Sequence, residues 1–202
     1  MTACAGRIGL FGGAFDPPHR AHHALAEAAI AQLQLDLLVV LPTGDAWHKQ
    51  RTLTAAAHRI AMAGLAFADL PRAKVDARET LRQGPSYTVD TLRELHGEHP
   101  RAAFFLVIGQ DQAGALHSWH EWPAIVQLAI ICVAAREDSA GTAVQFAPPQ
   151  GLEQRFLPLL FPHLRVSATD IRSRVASGQV VDTLVGRAVA RYIADHHLYR
   201  ST

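Results

Sequence analysis

The stretch RIGLFGGAFDPPHRAHHALAEAA, residues 7–29, decides the fold of this chain. An apolar strand ends at Gly12 and Gly13, two prolines follow, and an alanine-rich helix begins near His19. Paired glycines let the backbone turn tightly, and proline stiffens the segment that leads into the helix. The pattern predicts a strand, a loop and a helix, and open α/β sheets bind ligands at the carboxyl end of such a strand.

The same alternation continues along the chain. Apolar, β-branched runs predict further strands at 37–42, 73–77, 102–109 and 129–135. Helical periodicity predicts helices at 20–34, 54–68, 86–97, 121–128, 169–177 and 183–195. This order favours an α/β fold: a Rossmann-like, doubly wound, mostly parallel sheet with helices on both faces and a helical C-terminal part. We interpret residues 1–202 as a single domain, with the Pro/Gly-rich stretch 136–151 as an internal connection.

The composition excludes several classes of protein. The 19 Lys and Arg nearly balance the 18 Asp and Glu, and a net charge of +1 gives no overall field that attracts nucleic acid or a membrane surface. The apolar run at 124–135 contains Gln127 and is shorter than the roughly 18 residues of a membrane-spanning helix. Two cysteines make no disulfide framework, so we expect a cytoplasmic protein.

The start of the first helix is a candidate phosphate site. Unpaired N–H groups at a helix N-terminus attract phosphate. His19 and His22 are three residues apart, so both imidazoles face the same side of the first turn and can donate to phosphate oxygens. A zinc-binding His-x-x-His pair and an ordinary turn are alternatives. The sequence lacks a P-loop, a G-x-G-x-x-G after the strand and a G-x-S-x-G elbow.

The segment GGAFDPPHRAH, residues 12–22, resembles the H-x-G-H-bearing segment of the nucleotidyltransferase superfamily. The longer pattern G-G-x-F-D-P-x-H, which residues 12–19 match, resembles bacterial nicotinate-nucleotide adenylyltransferases in particular. Ala21 stands where the family usually has glycine between the two histidines. The resemblance implies that Gly12, Gly13, Ala14 and Phe15 contact ATP.

Four later motifs resemble the same family, in the same order. The first, AWHK at residues 46–49, resembles a loop whose lysine reaches phosphates; this lysine is Lys49. The second, GPSYTVDTL at residues 84–92, resembles the segment that binds the nicotinate ring. VIGQD, 107–111, and the later Trp119 resemble the G-x-D strand end and the tryptophan that stacks on pyridine. VSATDIRSRV, 166–175, resembles the second phosphate motif, with Ala168 where a serine is common. The resemblance implies that Ser86, Tyr87, Thr88 and Trp119 contact the mononucleotide and that Gly109, Asp111, Ser167, Thr169 and Ile171 contact ATP. The implied catalytic residues, which bind the phosphates, are His19, His22, Lys49 and Arg172.

The residues themselves allow both functional and structural interpretations of these motifs. Ser167 or Thr169 can cap a helix from which Arg172, with its planar fork of donors, faces phosphate or simply solvent. Asp111 at a strand end can accept from ribose hydroxyls, cap the next helix, or do both. Trp119 can stack on a ligand or belong to the core.

The resemblance implies adenylyl transfer from ATP to nicotinate mononucleotide, with release of pyrophosphate. Mg²⁺ is expected as a cofactor bound through the ATP phosphates, with no metal held by the protein itself. We expect small-molecule substrates, no nucleic acid or membrane partner, and a monomer or homodimer. A related transferase acting on nicotinamide mononucleotide or phosphopantetheine is one alternative, and a catalytically silent nucleotide-binding protein is another.

Overall fold

The computed structural model describes residues 6–44, 53–136, 146–162 and 164–200. They form a six-stranded sheet in the order β3-β2-β1-β4-β5-β6, in which every neighbouring pair is parallel. The strands are β1 Arg7–Gly13, β2 Leu37–Pro42, β3 Ala73–Val75, β4 Ala103–Gly109, β5 Ile130–Arg136 and β6 Phe156–Phe161. The predicted α/β, Rossmann-like sheet is confirmed.

Helices connect and cover these strands. They are α1 Arg20–Gln32, α2 Ala56–Ala66, α3 Arg78–Leu81, α4 Thr88–Glu98, α5 Gln110–Gly114, α6 Trp122–Leu128, α7 Ala168–Ala176, α8 Asp182–Val185 and α9 Arg187–Asp195. Short 3₁₀ turns lie at Leu116–Ser118 and Glu153–Arg155. Among the described helices, none is long and apolar enough to cross a bilayer. The apolar run at 124–135 is the end of α6 followed by β5, as predicted.

The sheet is buried on both faces because its strands are apolar at nearly every position. In β4, Phe104, Leu106 and Ile108 face one core, which is completed by side chains of α4, α5 and α6. Phe105 and Val107 face the opposite core, which contains side chains of α1 and α2. A third apolar cluster joins α2 to the helical C-terminal part through Met62, Ile171, Val185, Val189 and Ile193.

Two details of the predicted elements are wrong. The predicted helix over 183–195 is two helices, because Gly186 has a φ of 86° and breaks the chain between α8 and α9. The break shifts the helical phase: a continuous helix would put Ala188 on the packed face with Leu184 and Val185, but Ala188 is exposed while Ala190 is buried. The one-turn helix α3 was not predicted from the sequence.

The sixth strand was not predicted either. In β6, Phe156 and Leu159 face the core, but Pro158 lies in the middle of the run and has no N–H to donate to a ladder. Proline is tolerated here because β6 pairs only with β5 and forms the edge of the sheet.

The strand order places the site. β1 lies between β2 and β4, with Phe11 of β1 beside Val107 of β4. From β1 the chain moves outward to β2 and β3, and then returns to build β4, β5 and β6 on the other side. The crevice at the carboxyl ends of β1 and β4, where the direction reverses, is where open α/β sheets bind ligands.

Candidate active site

A cavity of about 520 Å³ lies over the carboxyl ends of β1 and β4, between the N-termini of α1 and α7. We call it the phosphate cavity. Eleven residues predicted to bind ATP or its phosphates line it: Gly12, Gly13, Ala14, Phe15, His19, His22, Gly109, Asp111, Ser167, Thr169 and Arg172. Ala21 and Ala168, the two departures from the family pattern, line it as well. The fold therefore brings together residues from opposite ends of the chain.

His19 and His22 form a stacked pair at the start of α1. Their ring centroids are 3.7 Å apart, with 20° between the planes. The backbone N–H of His19 donates to Nδ1 of His22 over 3.2 Å, so a neutral His22 ring carries its proton on Nε2. Burial lowers the pKa of His19 to about 4, so this ring is neutral near pH 7. Its Nδ1 is buried and has no partner among the described residues.

The loop between β1 and α1 is held in place by its own backbone turn and by the buried Arg59. Phe15 is buried and has a φ of 46°, which turns the chain after the glycines. The guanidinium of Arg59, buried beneath the loop, donates to the carbonyl oxygens of Ala14 over 3.1 Å and Thr43 over 2.8 Å. Because Thr43 follows β2, this arginine joins the loop to the neighbouring strand end.

The N-terminus of α7 forms the opposite wall. Ser167 is the N-cap and accepts from the N–H of Asp170 over 3.1 Å. Arg172 donates to Thr169 Oγ1 and to the backbone carbonyl of Asp16, so it lies against the loop instead of projecting into solvent. The side chain of Ile171 is fully buried in the third apolar cluster, and its predicted ATP contact stays a prediction.

Asp111 lies in the first turn of α5, after the Gly109 that ends β4. Gln112, and not Asp111, accepts from the N–H of Gly109, over 3.1 Å. The interpretation of Asp111 as the helix cap is therefore wrong, and its exposed carboxylate faces both the phosphate cavity and a second cavity beside it.

This second cavity has a volume of about 440 Å³, and we call it the mononucleotide cavity. It shares Gly12, Gly13, Ala14, Asp111 and Gln112 with the phosphate cavity, so the two meet at the glycine loop. Its floor is apolar and consists of Leu10, Leu41, Leu106, Ile108 and Ile125. Its rim contains all four residues predicted to bind the mononucleotide: Ser86, Tyr87, Thr88 and Trp119.

Aromatic rings form one side of the rim. Trp119 packs partly against the core, as one of the two interpretations expects, and it also lines the mononucleotide cavity. Its stacking on a ligand stays a prediction. Tyr87 stacks on His120 with centroids 4.2 Å apart. Trp122 packs against the same core and lines a separate surface depression, as expected of a core residue.

A polar network supports the other side of the rim. Arg82 donates to Ser86 Oγ over 2.9 Å and to Glu94 over 2.8 Å. Thr91 donates over 2.9 Å to the buried carboxyl of Glu79, whose pKa is raised by burial. A Cβ on Gly44 would lie 2.0 Å from the carbonyl oxygen of Glu79, so only glycine lets α3 approach the end of β2 this closely.

Two hypotheses from the sequence gain no structural support. Lys49, predicted to reach phosphates, lies outside the described residues. The zinc hypothesis for His19 and His22 is not favoured, because within the described ranges no three His, Cys, Asp or Glu side chains gather around a possible metal position.

Several residues of the site were not predicted from the sequence. Asp16 and Arg59 support the glycine loop, and Glu79, Thr91 and His120 line the mononucleotide cavity. Asp16 lies inside the quoted motif, which was a usable signal. Arg59 and Glu79 are charges within short helices, and a sequence does not distinguish them from charges on a solvated helix face.

The fold and the two joined cavities define a nucleotide-binding α/β protein with room for two ligands that meet at one loop. Residues 10–174 match the cytidylyltransferase-like family. A probable nicotinate-nucleotide adenylyltransferase from Albidiferax ferrireducens is 60% identical over 96% of this chain and 98% of its own. A probable nicotinate-nucleotide adenylyltransferase from Methylibium petroleiphilum is 44% identical over 96% of this chain and 92% of its own. The chain belongs to the nicotinate-nucleotide adenylyltransferase family, and it is a nucleotidyltransferase.

Solved structures agree on the fold. The nicotinic acid mononucleotide adenylyltransferase of Plasmodium falciparum, complexed with APC, superposes with a TM-score of 0.75 at 18% identity, covering 96% of this chain and 97% of that one. A putative nicotinate-nucleotide adenylyltransferase from Vibrio parahaemolyticus gives a TM-score of 0.69 at 19% identity, covering 98% and 97%.

Proposed function

We propose that this protein transfers the adenylyl group of ATP to nicotinate mononucleotide, forming nicotinate adenine dinucleotide and pyrophosphate. The observation that carries the proposal is the meeting of the two cavities at Gly12, Gly13 and Ala14. A polar cavity ringed by helix N-termini suits a triphosphate. An apolar cavity with an aromatic rim suits a flat pyridine ring. The shared loop is then the place where the two substrates react.

The reaction needs alignment more than covalent help. An oxygen of the mononucleotide 5′-phosphate forms a bond to the α-phosphorus of ATP. The bond from that phosphorus to the bridging oxygen breaks, and its electrons leave with pyrophosphate. The nucleophile is already an anion, so no general base is required, and the protein's task is to bring two polyanions together and to stabilise the departing charge.

The phosphate cavity supplies that stabilisation in our proposal. His22 donates from Nε2 to phosphate oxygens, and the neutral His19 ring donates beside it. Arg172 binds the outer phosphates together with the N-terminus of α7, and Lys49, which follows β2 in the sequence, assists. Gly12, Gly13, Ala14 and Phe15 contact ATP through the loop backbone. Asp111 accepts from ribose hydroxyls, and backbone groups near Gly109 and Ile171 complete the ATP contacts.

The mononucleotide cavity selects the acceptor in our proposal. The nicotinate ring stacks on Trp119, and its carboxylate accepts hydrogen bonds from N–H or hydroxyl groups of Ser86, Tyr87 and Thr88. Thr88 is the first residue of α4, so unpaired N–H groups at this helix start favour a negative ligand. An amide in the same place has no charge for these donors to attract.

Magnesium enters this reaction as part of the substrate. The described residues contain no three-ligand acidic or histidine cluster around a possible metal position. Phosphate oxygens are preferred Mg²⁺ ligands in nucleotide sites, and an ion carried in by ATP neutralises charge on the outer phosphates.

The test is pyrophosphate release by the purified protein with ATP and Mg²⁺, with nicotinate mononucleotide in one reaction and nicotinamide mononucleotide in another. We expect at least about a hundredfold preference in kcat/KM for the acid, equivalent to roughly 2.7 kcal/mol. Equal use of both would contradict the carboxylate site, while no release with either would contradict the proposed reaction.

A further inference from the structure

The carboxylate of Asp16 is buried beside the phosphate cavity and has no role in the mechanism above. The side chain is 1% exposed, although a buried carboxylate is costly unless hydrogen bonds satisfy it. Its Oδ2 accepts from the backbone N–H of Thr54 over 3.2 Å, and its Oδ1 accepts from the hydroxyl of Tyr199 over 2.6 Å. Both partners come from outside the β1–α1 unit.

Tyr199 follows α9, 183 positions after Asp16, and its ring packs against the third apolar cluster. Burial and the neighbouring carboxylate raise the pKa of this tyrosine, so its hydroxyl stays protonated and remains a donor. The ring also lies near Met62 of α2, with the hydroxyl 3.9 Å from the sulfur. The tyrosine is thus held firmly enough to orient its hydroxyl on Asp16.

Asp16 links this tyrosine to an ATP-binding residue. The backbone carbonyl of Asp16 accepts from Arg172 over 2.8 Å. Asp16 therefore bonds to Tyr199 through its side chain and to Arg172 through its backbone. The preceding residues Ala14 and Phe15 line the phosphate cavity. A shift of residue 16 therefore moves both the glycine loop and the Arg172 guanidinium.

We propose that Tyr199 is a positioning residue for ATP: its hydroxyl fixes Asp16, and Asp16 fixes the loop and Arg172 against the triphosphate. The inference rests on the proposed function, since it assigns ATP to the phosphate cavity. It gives the segment after α9 a role in substrate binding, although the described residues that line the two cavities include none after Arg172.

The test compares Tyr199→Phe with Tyr192→Phe. Both changes remove one tyrosine hydroxyl near the end of the chain. The Tyr199 hydroxyl bonds to Asp16, whereas the Tyr192 hydroxyl bonds to His58 over 3.0 Å. Calorimetric titration with ATP should show about tenfold weaker binding to Tyr199→Phe, the effect of one lost hydrogen bond to a charged group. Tyr192→Phe should bind ATP as the wild type does.

Steady-state kinetics separate positioning from a general loss of folding. In Tyr199→Phe the KM for ATP should rise while the KM for nicotinate mononucleotide stays unchanged. A purely structural role would lower kcat by reducing the folded fraction, with both KM values unchanged, and that result would overturn the inference. So would equal ATP affinity of Tyr199→Phe and the wild type.

Asp16→Asn provides a second variant if Tyr199→Phe folds poorly. It keeps the shape and one acceptor oxygen but removes the charge, and we expect the same selective weakening of ATP binding. In the double variant, Tyr199→Phe should add little to Asp16→Asn, because the two changes remove one interaction. Full additivity would contradict the link. If the wild type binds ATP but does not use nicotinate mononucleotide, the proposed reaction is refuted. The ATP affinities of the wild type and Tyr199→Phe would still test the role of Tyr199.

Discussion

The phosphate cavity and the mononucleotide cavity share a loop but are built in opposite ways. The phosphate cavity is lined by residues far apart in the sequence, from Phe11 to Arg172. They include a histidine pair, a guanidinium and two helix starts. The mononucleotide cavity has a floor of strand side chains that are also core residues, and most of its rim comes from two short segments, 86–88 and 118–120.

The proposed ligands account for this difference. A triphosphate is bound by donors that are arranged around it, and scattered residues provide them from several directions. A flat ring is bound by apolar surfaces. The side chains of the sheet core are already ordered by packing, so binding costs little additional side-chain entropy. We therefore expect changes in the phosphate cavity to affect kcat or ATP binding, and changes in the other cavity to affect the KM of the mononucleotide.

The largest effect is expected for His22→Ala. Loss of a preorganised donor at the reacting phosphates should reduce kcat by about 10²–10³ and leave the KM for nicotinate mononucleotide nearly unchanged. His23→Ala is the matched control, since its Nε2 bonds to Asp69, 2.8 Å away. Steady-state pyrophosphate release measures both. A reduction below tenfold for His22→Ala would remove the histidine pair from the mechanism and break the comparison.

The second prediction concerns pH. The pKa of His19 is about 4 in the folded protein and 6.5 when the side chain is fully solvated, so on acidification the unfolded state binds the proton first. The free energy of unfolding should fall between pH 6.5 and 4, with about 2.5 kcal/mol lost to this residue by pH 4.5. Urea unfolding of the wild type and His19→Gln at pH 7 and 4.5 measures the difference.

In that experiment His19→Gln should lose less stability on acidification than the wild type. Saturating ATP should reduce the loss in the wild type as well, because phosphate stabilises the protonated ring. Identical pH dependence of the two proteins would show that the pair is not the acid-sensitive part of the phosphate cavity.

The third prediction is on the other cavity. Trp119→Ala should raise the KM for nicotinate mononucleotide about tenfold, since it removes the aromatic face for the pyridine ring. The KM for ATP should not change. Trp119→Phe keeps a ring and should recover most of the affinity. If Trp119→Ala altered the KM for ATP equally, the two cavities would not be separable as we describe them.

The smallest effect is expected for Arg82→Gln. The change removes the donor to Ser86 and loosens one wall of the rim, which should raise the KM for nicotinate mononucleotide about fivefold, the value of one hydrogen bond. Arg93→Gln on α4 is the control, because Arg93 pairs with Glu121 on the exposed surface. The same kinetic assay serves. Equal KM values for the two variants would mean that the network does not shape the rim.

The sequence predicted the features that depend on residues close together in the chain. Strands such as β4 are continuous apolar runs, and the motif residues at the strand ends follow directly from them, so the sheet and most of both cavities were predictable. β6 was missed because Pro158 argues against a strand, and only its edge position permits it. Arg59 and Asp16 were missed as support for the loop because their partners, Thr43 and Tyr199, are known only once the fold exists.

Because Tyr199 bonds to Asp16, the phosphate cavity is complete only after the end of the chain has been synthesised. Residues leave the ribosome from the N-terminus. A chain that has emerged only through β4 contains His19 and His22 but lacks Arg172 and Tyr199, which both bond to Asp16 in the complete protein. Under our proposal, loss of the last residues through premature termination or proteolysis keeps every strand of the described sheet in the chain but removes Tyr199, and ATP binding should weaken.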